Sequence, residues 1–418
     1  MGDLVRGSSK RPAWAQRIKA ERTARGWSQT NAVAALRTNA TQPLAGDGSL
    51  LRNWKRWEAG DAEPDGFYKP LIAKTFGTVT AAIFPNVVRR SPDAELLTDA
   101  GLDTLEIVSR LRVSDVSQST LDALHIAVDR LCCDYPHVTA EQLHRDGQAW
   151  LHRITSLLDR RLTLAQHQQV LNLAGWVALL VGCVEYDLGR RQQAEATRQA
   201  ALSLGLESGS AQIQGWAHEM RAWYALTRGD YLGVIAATET GEAVAPNQSV
   251  AVQLAAQRAK AWARLGNRKH AAEALDQGRA LLEKQPYPDN LDHHFIVDPA
   301  KFDFYAMDCY RLLGDDNLAG MYANEVIKSS TDFDGFERRP MRLAEARITL
   351  GVIAGREGNL DKAVEHGTKA LSADRQSIPS LVMCSQELRE LLQQRYPNEP
   401  QTQMYMEKLS TLASTAAN

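Results

Sequence analysis

A helical hairpin recurs through the middle and C-terminal parts of the chain, and this repetition limits the possible folds more than any other feature. Each copy has a helix with apolar residues at helical spacing, a turn that contains glycine, and a second helix. The five copies are Tyr186-Asp187-Leu188-Gly189 with Ala194, Leu226-Thr227-Arg228-Gly229-Asp230-Tyr231, Leu265-Gly266-Asn267 with Ala271, Leu313-Gly314-Asp315 with Ala319, and Gly358-Asn359-Leu360-Asp361-Lys362-Ala363. Glycine can adopt the left-handed conformation at the turn, and the small alanine lets the two helices approach closely. Hairpins of this kind bury their apolar faces only by stacking, so the pattern predicts an α-solenoid with a concave surface suited to peptides or partner proteins.

The hairpin copies resemble tetratricopeptide repeats. Their glycine-to-glycine spacings of 40, 37, 48 and 44 residues exceed the usual repeat length of about 34 residues, so we expect degenerate repeats with longer helices. Nearly every segment from Asp115 onward has helical periodicity, and no convincing pair of strands appears. The sequence therefore predicts an all-α chain in which residues 115–418 form the repeat domain and residues 380–395 cap its last unit.

The first 85 residues predict a separate small bundle. Pro12 fits the first turn of a helix, where its missing N–H has no cost, and Gly26 fits the position just after the end. We therefore expect helix one over residues 12–25. Trp14 and Ile18 lie four residues apart and share its buried face.

A second helix is expected to begin after Ser28, whose hydroxyl can cap it, and to end near residue 36 or 37. Gln29 then lies in the first turn, with its amide near any phosphate bound at that helix terminus. Residues 38–48 are rich in turn-forming residues and predict an extended loop. Ser49 is the expected N-cap of a third helix.

The third helix has two opposite faces. A buried stripe is predicted for Leu50, Trp54 and Trp57, and the opposite side carries Arg52, Lys55 and Arg56. Arginine in a major groove can pair with guanine through two hydrogen bonds, although an ordinary solvated cationic face is the alternative. The candidate DNA contacts are Ser28, Gln29, Ser49, Arg52, Asn53, Lys55 and Arg56.

The run Trp57-Glu58-Ala59-Gly60-Asp61-Ala62-Glu63-Pro64, together with Arg22, Gly26, Ser28 and Gln29, resembles the XRE (lambda-repressor/Cro-like) helix-turn-helix family. With the repeats, the chain is similar to regulators of this family, of actinobacterial type, that carry a tetratricopeptide-like domain. The resemblance covers about residues 13–84. It implies double-stranded DNA as partner, Gln29 on the phosphate side, Arg52 and Arg56 facing bases, and a peptide effector.

Two features depart from the family pattern. Leu51 occupies another base-facing position, which is unusual for recognition through hydrogen bonds. The connection between helices two and three is roughly ten residues longer than the family's tight turn, so the loop either bulges outward or adds contacts. A homodimer is expected because one short helix contacts only a few base pairs.

The distribution of charge also separates the N-terminal part of the chain from the rest. Residues 1–60 hold eleven Lys/Arg and four Asp/Glu, a net charge of +7, whereas the remainder holds 37 and 46, a net charge of −9. A basic module on an acidic body favours approach to phosphate by the basic end alone. We expect a DNA-binding domain at residues 1–85, a linker at residues 86–114 and the repeat domain after it.

Other functions find little support in the sequence. No phosphate-binding loop, dinucleotide fingerprint, H-E-x-x-H or G-x-S-x-G motif is present, so we expect neither an enzyme nor a cofactor. The longest strongly apolar run is residues 176–184 and no apolar segment follows the N-terminal cations, which predicts a cytoplasmic protein without a membrane span. The five cysteines show no regular spacing, so buried free thiols are expected.

The repeat domain offers two candidate effector sites. One is the least repeat-like stretch, residues 285–299, with His293, His294 and Phe295. The alternative is that this stretch is a structural loop. A metal site has little support, because His293, His294 and Asp298 match no established metal-ligand spacing. The other comprises Trp216, Trp223, Tyr224 and Trp262, which could line a groove or pack in the core. The sequence thus predicts a DNA-binding transcriptional regulator with an effector-binding or dimerising repeat domain. The alternative is a protein–protein scaffold whose N-terminal domain does not bind DNA.

Overall fold

The computed structural model describes residues 11–84 and 114–415. The chain divides into two compact units, Met1–Leu105 and Glu106–Asn418. Throughout the described residues the secondary structure is helical, without a strand, and a single isolated bridge pairs Thr331 with Glu337. The all-α fold class is therefore confirmed. The linker predicted at residues 86–114 lies, except for its last residue, outside the described residues.

Five helices form the described part of the first unit. They are α1 (Ala13–Ala24), α2 (Gln29–Asn39), α3 (Asp47–Ala59), α4 (Tyr68–Thr75) and α5 (Thr80–Ile83). Pro12 and Arg25 flank α1, close to the predicted bounds. The Ser28 hydroxyl accepts a hydrogen bond from the Asn31 backbone N–H, so the predicted cap of α2 is confirmed. Gly60 ends α3 with φ 87°, a conformation that favours glycine.

The core of this unit is built around α3. Leu50, Trp54 and Trp57 are buried, as predicted, and Trp54 contacts Phe76 edge to face at 6.0 Å between ring centroids. Ile18 of α1 is buried in the same core. The apolar stripe of α3 is thereby fixed against three other helices, which leaves its opposite face directed away from the core.

The start of α3 differs from the prediction. Gly46 is the N-cap and the helix begins at Asp47, so the assignment of Ser49 as the cap was wrong. The backbone N–H groups of Ser49 and Leu50 both donate to the Gly46 carbonyl, and Arg37 pairs with Asp47 at 2.7 Å. These contacts extend the helix toward its N-terminus. The loop between α2 and α3 is consequently residues 40–46, shorter than predicted.

The second unit contains fourteen helices among its described residues and one 3-10 turn, Ser156–Asp159. They are α6 (Gln118–Cys133), α7 (Ala140–Thr155), α8 (Leu164–Asp187), α9 (Arg191–Glu207), α10 (Ala211–Thr227), α11 (Tyr231–Val244), α12 (Val250–Arg264), α13 (Arg268–Lys284), α14 (Pro299–Leu312), α15 (Asp316–Ser330), α16 (Pro340–Arg356), α17 (Leu360–Ala370), α18 (Ile378–Arg395) and α19 (Pro400–Thr415). From α8 onward they pack as successive antiparallel hairpins. The first helix of each hairpin contacts the first helix of the next, so these helices form one layer of an α-solenoid.

The five predicted hairpin turns lie where the sequence places them. Gly266 and Gly314 have φ values of 71° and 75°, the left-handed region that a side chain disfavours. Ala271 and Ala319, five residues later, are completely buried between the paired helices. A permissive turn followed by a small contact residue therefore forms the hairpins at Gly266 and Gly314 as predicted.

The solenoid continues beyond the predicted capping segment. Residues 380–395 lie within α18, but α19 follows and makes a sixth hairpin with it. Helix α18 also contacts α8 and α10, so the end of the array meets its beginning. Trp223 Nε1 donates to Ser380 Oγ at 2.8 Å across this junction. Arg375 pairs with Asp187 at 2.7 Å, and both side chains are buried.

Helix α8 is long and apolar enough to cross a membrane by length and composition. In the structure 83% of its most apolar 18-residue stretch is buried inside the protein. Its neighbours α7 and α9 pack along it. It is thus placed as a core helix of the second unit.

Candidate functional site

The outward face of α3 is a free cationic surface. Arg52, Lys55 and Arg56 are exposed, and none of them forms an ion pair with any residue that the structure describes. Arg52 Nη2 donates only to Ser49 Oγ, at 3.2 Å, and Asn53 is half-buried beside it. Ser49, Arg52 and Arg56 lie three or four residues apart and therefore share one side of the helix. We call Ser49, Arg52, Asn53, Lys55 and Arg56 the α3 cationic face.

A buried carboxylate fixes α3 from the opposite side. Glu58 accepts hydrogen bonds from the Arg22 guanidinium, from Trp54 Nε1 at 2.8 Å and from Gln29 Nε2 at 2.9 Å. Arg22 Nη1 also donates to the Trp27 carbonyl at 2.6 Å. One carboxyl group therefore joins α1, α2 and α3, which sets the direction in which the α3 cationic face points. We call Arg22, Gln29, Trp54 and Glu58 the Glu58 cluster.

The Glu58 cluster keeps its carboxyl ionised. Burial raises the pKa of Glu58, but the hydrogen bonds and charge of Arg22 and the donors of Gln29 and Trp54 outweigh it, so the pKa is lowered overall. The same pair raises the pKa of Arg22. The resemblance assigned no role to Glu58 beyond the sequence motif; the structure gives it a structural one.

The two residues predicted at the start of α2 have partners within the protein. Ser28 caps the helix through Asn31. Gln29 Nε2 donates a hydrogen bond to Glu58, so the Gln29 amide is bound to α3 rather than directed into solvent. A phosphate contact by either residue stays a prediction, and the structure places both more firmly in the framework of the bundle than the sequence suggested.

The loop between α2 and α3 adds contacts to its own bundle. Arg37 Nη2 donates to the Ala45 carbonyl at 2.7 Å, and Lys74 Nζ donates to the Asn39 carbonyl at 3.1 Å. Leu44 packs partly buried against the core. Within the described part of the chain, no hydrogen bond or ion pair joins residues 40–46 to Arg52, Lys55 or Arg56. The loop therefore leaves the charged ends of the α3 cationic face open.

The aromatic residues predicted for an effector groove divide between core and cavity. Tyr224 stacks on Tyr186 at 3.9 Å between ring centroids and donates to the Gly182 carbonyl. Trp216 is buried against Phe295 at 5.2 Å, and Trp262 stacks partly buried on His270. These residues pack the solenoid, as the structural alternative expected. Trp223 instead lines an internal cavity.

Residues 285–298 form an irregular connection before α14, as their composition predicted. Phe295 is buried, and His293 accepts a hydrogen bond from the Phe295 backbone N–H through Nδ1. The His294 backbone N–H donates to the Cys132 carbonyl, and its ring lies 3.8 Å from the Tyr135 ring. Burial, with nearby cations, lowers the pKa of His294 well below its usual value. Of the predicted residues in this segment, His294 lines the cavity.

The cavity lies within the second unit and has a volume of about 150 Å³. It is lined by the first helices of successive hairpins, α8 to α18, and by the segments near Tyr135 and His294. Charged side chains from four different helices line it, among them Glu219, Lys301 and Arg342. The sequence analysis did not select these residues. Ionisable residues on the otherwise apolar faces of repeat helices were the available signal.

A second concavity is wider and more open. It has a volume of about 1420 Å³ and is lined by several hairpin turns and by α18. Arg311, at its edge, pairs with Glu387 of α18 and with Asp308 below.

The described residues contain no group of three or more His, Cys, Asp or Glu side chains placed to hold a metal ion. The five cysteines are free, and only Cys133 is less than fully buried. Burial raises the pKa of each thiol, to about 12 for Cys309. The prediction of buried free thiols is confirmed for the other four.

No protein-family model matches the chain, and no curated protein matches it either.

Proposed function

We propose that the chain is a cytoplasmic, sequence-specific DNA-binding transcriptional regulator whose helical-repeat unit binds an effector. The observation that supports it most strongly is on the α3 cationic face: Arg52, Lys55 and Arg56 are exposed and form no ion pair among the described residues, while Trp54 and Trp57 behind them are buried. A short helix of this kind can enter a major groove and present arginine to base edges. The proposal places Arg52 and Arg56 at bases and Lys55 at phosphate.

The Glu58 cluster supports the same proposal. Recognition of bases requires that the contacting helix be held in one orientation by its neighbours. Glu58 joins α3 to α1 and α2 through buried, charge-assisted hydrogen bonds, which limits rotation of α3 about its axis. The residues that resemble the XRE family are therefore also those that would orient the proposed DNA-contacting helix.

The partners follow from the same reasoning. We propose that the protein acts as a homodimer on a two-fold site, because one helix of this length contacts too few base pairs for useful specificity. The effector is proposed to bind the second unit, in the wider concavity if it is a peptide and in the smaller cavity if it is a small molecule. No enzymatic step is part of the proposal.

Salt dependence of binding to the gene's own upstream DNA tests the proposal. Contacts to phosphate release counterions, so affinity falls steeply as salt rises. Lys55→Ala should weaken binding to all sequences alike and reduce the salt slope by about one. Lys269→Ala is the matched control, because Lys269 is 81% exposed on the second unit and should leave both quantities unchanged.

A different outcome would support the scaffold alternative. Weak binding without preference for the upstream DNA, at every salt concentration, would indicate that the first unit does not recognise sequence. Equal salt slopes for wild type and Lys55→Ala would show that the α3 cationic face does not meet phosphate. Either result would remove the basis for a regulator.

A further inference from the structure

The smaller cavity of the second unit holds two cations, Lys301 and Arg342, and neither donates a hydrogen bond to a carboxylate among the described residues. Lys301 Nζ donates to the backbone carbonyls of His294 at 2.8 Å and Ile296 at 3.0 Å. Its Nζ also lies 5.2 Å from the centroid of the Trp216 ring. Among the described residues the only carboxylate oxygen within 4.0 Å of Arg342 is one of Asp298, at 3.9 Å, and Arg342 Nη1 is buried without a hydrogen bond.

A third cation of the cavity, Lys260, does have carboxylate partners. Lys260 lies 3.2 Å from Asp308 and 3.9 Å from Glu345, so its charge is compensated inside the protein. Burial and then Arg342 lower the pKa of Lys301 to about 7, and burial lowers that of Arg342 to about 10. An anion between these two side chains would relieve both effects.

The cavity lining also offers hydrogen-bond acceptors. Gln253 and Gln257 each donate to Glu219 Oε1 at 2.7 Å. Their own carbonyl oxygens are buried without a partner among the described residues, although both side chains are at least nine-tenths buried. A buried acceptor without a donor costs free energy, and a hydroxyl or amino group of a ligand would satisfy it.

The size of the cavity limits the ligand. A volume of about 150 Å³ equals that of cavities that hold one benzene molecule. Trp223, Phe304 and Tyr305 also line the cavity and supply aromatic surface. A peptide chain does not fit this space.

We infer that this cavity binds a small organic carboxylate, about the size of one aromatic ring, that also carries a hydrogen-bond donor. Lys301 and Arg342 hold the carboxylate, and Gln253 and Gln257 accept from the donor. The lining residues come from helices at both ends of the solenoid, since Cys183 belongs to α8 and Ser380 to α18. The ligand therefore bridges hairpins that are distant in sequence, and it stabilises the closed array. The inference deepens the effector part of the proposed function.

Isothermal titration calorimetry of the full chain tests it with three probes of equal shape: 4-hydroxybenzoate, 4-hydroxybenzamide and 4-hydroxybenzylamine. The acid should bind with one site per chain, and the amide and the amine at least about ten-fold more weakly, since a hydrogen bond to a charged group is worth that much or more. Lys301→Met should weaken binding of the acid by about ten-fold or more. Lys301 has no carboxylate within 4.0 Å among the described residues, so its replacement does not leave one partner of a buried ion pair behind, which is the costly case.

Lys269→Met on the exposed surface is the control and should bind like wild type. If Lys301→Met does not fold, as judged by circular dichroism, Arg342→Met carries the same test. The inference is overturned if the amine or the amide binds as tightly as the acid, if none of the three probes binds, or if the folded variant binds the acid like wild type. The titration contains no DNA, so its failure is distinct from a failure of DNA recognition.

Discussion

Replacing Glu58 with glutamine tests whether one buried carboxyl group holds the first unit together. The variant keeps the size of the side chain but removes the charge that faces Arg22. The Glu58 side chain is 5% exposed and that of Arg22 is 15% exposed, so the guanidinium would lose its counter-charge in a largely water-free position. The glutamine amide would also place N–H groups against the donors of Gln29 or Trp54.

The size of the effect follows from this geometry. Removing one partner of a buried ion pair costs about 3–5 kcal/mol, and the partial exposure of Arg22 reduces this to about 2–4 kcal/mol. For a domain of this size, each kcal/mol lowers Tm by about 4–8 °C. We therefore expect Glu58→Gln to lower the unfolding temperature of the first unit by about 8–32 °C.

The loss should depend on pH in a defined direction. The pKa of Glu58 in the folded protein is below the usual 4.5, so its carboxylate stabilises the folded state above that pH. The contribution disappears as pH falls through the folded pKa. The difference in stability between wild type and Glu58→Gln should therefore be full at pH 7 and should shrink below about pH 4.5.

Hydrogen exchange followed by mass spectrometry on peptides from α3 gives the local free energy of unfolding directly. The control is Glu63→Gln, because the Lys69–Glu63 pair is exposed and such pairs contribute about 0–1 kcal/mol. Equal protection of α3 in Glu58→Gln and Glu63→Gln at pH 7 would refute the structural role of the carboxyl group. So would a difference from wild type that stays constant down to pH 3.

Three further changes test the second unit by thermal unfolding. Gly314→Ala should cost about 1 kcal/mol because Gly314 has φ 75°, a left-handed backbone that a side chain disfavours, whereas the space around it is open. An unchanged Tm would show that alanine adopts this backbone conformation without strain. Asn359→Ala should cost about 1 kcal/mol by removing the cap on the Lys362 backbone N–H, whereas Asn359→Asp should retain stability. Arg375→Met should cost about 3–5 kcal/mol, since it leaves Asp187 buried without its cation. Wild-type stability of this variant would show that the junction between the ends of the array contributes little.

Local sequence determined the hairpins well. A glycine that needs a left-handed backbone and a small residue that needs close packing are properties of a few adjacent residues, so the turns at Gly266 and Gly314 follow from the sequence. The caps were available too: Asp230, Asn267 and Asp315 each accept from the backbone N–H three residues later. The sequence analysis used only the glycine and the alanine of this pattern.

Features that depend on distant residues could not be predicted. The start of α3 moved from Ser49 to Asp47 because Arg37 of another helix pairs with Asp47. The cavity depends on which faces of six helices meet, and Lys301 and Arg342 are 41 positions apart in the sequence. The spacing of apolar residues predicts which face of a helix is buried, but it does not predict which polar groups contact a charged side chain on that face.

Selection of duplexes from a random DNA library by the full chain tests the central claim most directly. The measurement compares wild type with the double variant Arg52→Ala/Arg56→Ala, and Arg52 and Arg56 are exposed side chains whose removal should leave the fold intact. Wild type is expected to enrich one two-fold sequence motif, and the double variant to enrich a motif that has lost its preference at the guanines they contact. The same motif from both proteins, or none from wild type, would contradict recognition of DNA by the α3 cationic face.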